Sequence, residues 1–99
     1  MSDYLNRELR LEADRRQQIE RIRRFESIMQ EVEAMLGEHS DKNADILREK
    51  IEELEAYYSG DEWKQDFTDD EAGLLPKDLK RGVLSEDGIF NLLARYRES

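Results

Sequence analysis

Residues 22–58 read IRRFESIMQEVEAMLGEHSDKNADILREKIEELEAYY, and this stretch decides the fold. Ile22, Phe25, Met29, Val32 and Leu36 are spaced 3, 4, 3, 4, and Ala44, Leu47, Ile51, Leu54 and Tyr58 repeat that spacing. Such spacing places each apolar set on one stripe of an α-helix, the seam along which two helices pack. Between the stripes, Gly37 suits the residue just past a helix end, Ser40 suits the next N-cap, and Asp41 suits a first turn. A connection this short makes neighbouring helices antiparallel. The stripes then pair in layers, from Leu36 with Ala44 through Phe25 with Leu54 to Ile22 with Tyr58. The expected fold is all-α: a long antiparallel helical hairpin, coiled-coil-like, with the rest of the chain packed back on it as short helices and a C-terminal helix.

Upstream, residues 2–21 hold no Gly or Pro and are rich in Leu, Arg, Glu and Gln, so the first helix should begin well before Ile22. The apolar seam does not continue there: its positions become Glu8, Arg15 and Gln18, with only Leu11 and Tyr4 apolar. A different short stripe, Leu5 and Leu9 with Ala13, takes its place. Eighteen helical residues would project about 27 Å. That arm has no obvious partner within the hairpin, so Leu5, Leu9 and Leu11, flanked by Arg7 and Arg10, are the candidate partner-binding residues. On this reading residues 1–18 are a helical extension and residues 19–99 one small domain.

Downstream, Ser59-Gly60-Asp61-Glu62 has the spacing of a capping box, with Tyr58 and Trp63 placed as its hydrophobic staple. Trp63 and Phe67 lie one turn apart, and the run to Gly73 ends that helix. Pro76 and Gly82 bracket a further expected turn of helix, Lys77 to Arg81. Ser85, with Glu86 and Asp87 after it, opens a last helix carrying Ile89, Phe90, Leu93 and Tyr96. Gly88 in its first turn suggests the close approach of another element, such as a ring of Tyr57, Tyr58 or Trp63.

Composition sets the outer bounds. Of 99 residues 41% are charged, the net charge is −9, and there is no cysteine, which excludes disulfides and thiolate metal sites. Leu, Ile, Val and Phe number 12, 6, 2 and 3, enough for a thin core. No apolar run approaches the roughly 18 residues of a membrane span, and no signal peptide is read at the start, so a cytoplasmic location is expected. Residues 1–24 carry seven Arg against five acids, whereas residues 25–99 carry 9 basic against 20 acidic residues. An acidic body disfavours nucleic acid and anionic lipid as direct partners and permits a basic protein surface.

The stretches Tyr57-Tyr58-Ser59-Gly60-Asp61-Glu62-Trp63 and Leu75 to Gly88, the latter reading LPKDLKRGVLSEDG, resemble the bacterial Domain of Unknown Function 4298 family over roughly residues 19–97. The resemblance implies a bacterial or phage origin, a short chain and a helical fold. It implies no activity, cofactor or catalytic residue.

The chemistry-bearing residues assemble into no complete site. His39, the only histidine, reads as an exposed loop residue. Asp66, Asp69, Asp70 and Glu71 read as a surface carboxylate cluster partly answered by Lys77, Lys80 and Arg81, with neither a calcium-loop pattern nor a di-iron pattern. Lys80 and Arg81 fit the last turn of a helix, where its dipole favours cations. The N-terminal arginines read as a solvated face with local ion pairs. Trp63, Phe67, Tyr57 and Tyr58 read as core. The expectation is a non-enzymatic interaction or regulatory module, without cofactor or metal, acting through homo-oligomerisation or a partner protein. The alternative is an acidic inhibitor that mimics nucleic acid charge on a basic protein.

Overall fold

The computed structural model describes the backbone of residues 2–38 and 44–98 and the side chains of residues 12–38 and 44–98. Helix α1 spans Ser2–Glu38, α2 Ala44–Tyr58, α3 Asp61–Glu71 and α4 Glu86–Glu98, with a 3-10 turn at Gly82–Leu84 before α4. Among the described residues there is no strand. The 37-residue α1 is continuous because nothing before Gly37 breaks it. At 1.5 Å per residue it measures about 55 Å. It sets the long dimension of a 59 × 23 × 23 Å molecule.

The downstream stripe of α1 forms the floor of the core. Ile22, Met29, Val32 and Leu36 are buried, Phe25 is half-buried, and Ile28 joins them. From α2 come Ile51, Leu54 and Tyr57. Lys50 pairs with Glu31, Arg24 lies 3.7 Å from Glu53, and the Phe25 and Tyr57 rings stack with centroids 4.1 Å apart. These contacts run along the face on which α1 and α2 meet. Gly37 lies inside the last turn of α1 rather than beyond it. His39, Ser40 and Asp41 lie outside the described residues.

Helix α3 packs through aromatic rings. Trp63 is buried, stacks on Phe67 at 5.1 Å and meets Tyr58 at 4.9 Å, so the aromatic residues are core as expected. The expected capping box does not form. The N-cap is Gly60, without a side-chain cap. The Ser59 hydroxyl instead donates back to the Glu55 carbonyl of α2 at 2.7 Å, and Glu62 is engaged by Arg21. The far end of α3 closes on Gly73, whose φ of 74° is open to glycine. There the Gly73 and Leu74 amides donate to the Asp70 and Asp69 carbonyls, answering two orphan acceptors of the last turn.

Residues 77–81 form no helix; the chain turns there and becomes 3-10 only at Gly82. Leu75, Leu79, Val83 and Leu84 all point inward, so this segment is core carried on irregular backbone. The Trp63 indole donates to the Val83 carbonyl at 2.9 Å, fixing the turn to α3. Glu26 fixes it to α1 by accepting from the Val83 amide at 2.7 Å. A Cβ on Gly82 would lie 3.0 Å from that carboxylate, at the flexible end of the Glu26 side chain. Ser85 caps α4 by accepting from the Gly88 amide at 3.1 Å, as the sequence predicts. What approaches Gly88 is the Ser85 side chain and the Gly82 carbonyl, not an aromatic ring. Ile89, Leu92 and Leu93 then close the core.

Candidate functional site

Upstream of Ile22 the seam keeps its register and changes its chemistry. Gln18, one step back along the 3, 4 spacing, is buried although polar. Facing it from α3 is Asp66, with no exposed surface at all. One Asp66 oxygen, Oδ1, accepts from Gln18 Nε2 at 2.9 Å and from an Arg21 nitrogen, Nη2, at 2.5 Å. The other, Oδ2, accepts from Arg21 Nε at 3.0 Å and from the Tyr57 hydroxyl at 2.5 Å. Four donors fill the roughly four lone-pair positions of a carboxylate. Burial of the charge is tolerated because it is paired and fully hydrogen-bonded.

The network extends to both sides. Arg21 reaches Glu62 at 2.9 Å, Gln18 also donates to Asp69 at 2.9 Å, and Arg15 meets Asp69 at 3.2 Å. Arg15, Gln18 and Arg21 therefore interlock with Glu62, Asp66 and Asp69. These α3 residues share a face because they are spaced 4 and 3. The contacts tie α1 to the domain as far back as Arg15. The hydrogen bond and charge of Asp66 hold the Arg21 guanidinium above its ordinary pKa, against the opposing effect of burial. Burial, and then the bond to Asp66, raise the Tyr57 hydroxyl far above the usual phenol range. Asp69 is held below the ordinary aspartate value, first by the hydrogen bond from Gln18 and then by those of Gln65 and Arg15.

This geometry corrects three expectations. Of the four carboxylates only Glu71 is exposed: Asp66 is buried, Asp69 and Asp70 are half-buried, and each of these three has a named partner. Arg81 does pair with Asp70, but it also donates to the Pro76 carbonyl at 2.6 Å and to the Leu79 carbonyl, so it braces a turn rather than serving a helix dipole. Nor are the arginines only a solvated face with local pairs, since Arg15, Arg21 and Arg24 all reach other helices. With its oxygens saturated, Asp66 has no lone pair to offer a cation or a substrate proton, so the network is a lock between helices. Among the described residues, no three His, Asp or Glu side chains converge as metal ligands.

The side chains of Leu5, Leu9, Leu11, Arg7 and Arg10 lie outside the described residues. A second feature, unread in the sequence, lies between the ends of α2 and α4. There Tyr58, Phe90, Leu93 and Ala94 line an open groove of about 500 Å³ rimmed by Glu55, Arg97 and Glu98. Phe90, which the sequence places on the helix stripe, is 60% exposed.

No helix among the described residues is long and apolar enough to cross a membrane. No curated protein and no solved structure matches the chain. The model of one family matches residues 18–99, beginning at the buried glutamine and running through the lock and the turn: the chain belongs to the DUF4298 family, a domain of unknown function.

Proposed function

We propose that the chain is a non-enzymatic helical interaction module whose binding element is the N-terminal part of α1, acting on a second copy or on a partner protein. The observation that carries this reading is the length of α1. It runs 37 residues, against 15, 11 and 13 for the other three helices. Among the described side chains its first buried residue is Gln18. Everything before Arg15 therefore extends past the lock as a rod. A helical segment that short is marginal alone in water and gains most from a partner that packs on it. The saturated lock supports a role without catalysis.

The charge-mimic alternative has less support. Glu26, Asp66, Asp69 and Asp70 are engaged within the fold and the exposed Glu62 is paired with Arg21, which removes part of the acidic excess from free display.

Deletion of residues 1–13 tests the reading, because it stops short of Arg15 and leaves the lock intact. Light scattering over a concentration series should show association in the full chain and its loss in the shortened one, with thermal melting little changed. If the deletion alters neither oligomeric state nor partner capture, α1 is not the binding element.

A further inference from the structure

We draw no further inference here: the strongest candidate, the open apolar groove between the ends of α2 and α4 lined by Tyr58, Phe90, Leu93 and Ala94, carries none because nothing in the structure shows what covers it.

Discussion

Two halves of the same helix stripe solve the same packing problem with opposite chemistry. From Ile22 to Leu36, α1 meets α2 through apolar side chains whose attraction is non-directional. From Arg15 to Arg21, one turn away and in the same register, it meets α3 through hydrogen bonds and ion pairs that demand particular atoms in particular places. The apolar half tolerates small shifts of register. The polar half does not, since sliding α3 by one residue would strand a fully buried carboxylate. The difference teaches a division of labour: burial holds the long helices together, and the lock decides where α3, and the turn it carries, come to rest.

The sharpest way to break the polar half is Asp66→Ala, which leaves Gln18, Arg21 and Tyr57 without their common acceptor. It should destabilise the domain by about 4 kcal/mol, as removal of one partner of a buried pair does. In a domain of this size that is a fall in Tm of about 20 °C. The matching cut in the apolar half is Leu54→Ala at a site with no exposed surface, expected to lose about 3 kcal/mol through lost burial and a cavity. Both are read from thermal melts.

Tyr57 belongs to both halves, and Tyr57→Phe separates them. The ring stack on Phe25 is kept and the bond to Asp66 is lost, for about 1 kcal/mol at neutral pH. The raised pKa of Tyr57 has a further consequence. The folded state keeps the phenol proton that the unfolded chain releases near pH 10. The resulting stabilisation is complete below that pH and declines as pH rises above it. Alkaline melting should show that decline in the wild type and less of it in Tyr57→Phe.

Asp69 acts at the acid end. Its lowered pKa stabilises the fold above the ordinary aspartate value, near pH 4, and that contribution is lost as pH falls through the folded value. Asp69→Asn should flatten the acid limb of the stability profile. The smallest effect belongs to Arg24→Ala. Its ion pair with Glu53 is 3.7 Å long between side chains 65% and 49% exposed, so the melt should move by less than about 0.5 kcal/mol. A larger shift would mean that exposed pairs also set the register, against the division drawn above.

Apolar periodicity made the buried faces of α1 and α2 legible, together with the aromatic core around Trp63, the glycine end of α3 and the Ser85 cap. The lock was hidden because polar residues at seam positions look like the end of a seam. In the sequence Arg15 and Gln18 read as interruptions, and Asp66 and Asp69 as surface, since a charge carries no mark of burial. The partner spacing on α3 was there to be matched, but matching it requires knowing that α3 returns to α1. The capping box failed for a related reason: Ser59 had a nearer acceptor in the last turn of α2, and Glu62 was claimed by Arg21. The Lys77–Arg81 segment reads as a turn of helix because Pro76 and Gly82 bracket it, yet its buried neighbours Leu75, Leu79 and Val83 are carried on irregular backbone.

Trp63 is the only tryptophan in the chain, and it is buried with its indole tied to the Val83 carbonyl. The molecule therefore carries a single built-in fluorophore at the junction of α3 and the turn, apart from the long helices that dominate its circular dichroism. An emission shift to longer wavelength that precedes the loss of ellipticity would show α3 lifting off while α1 and α2 stay paired. Coincident curves would show that the lock and the apolar seam give way as one cooperative unit.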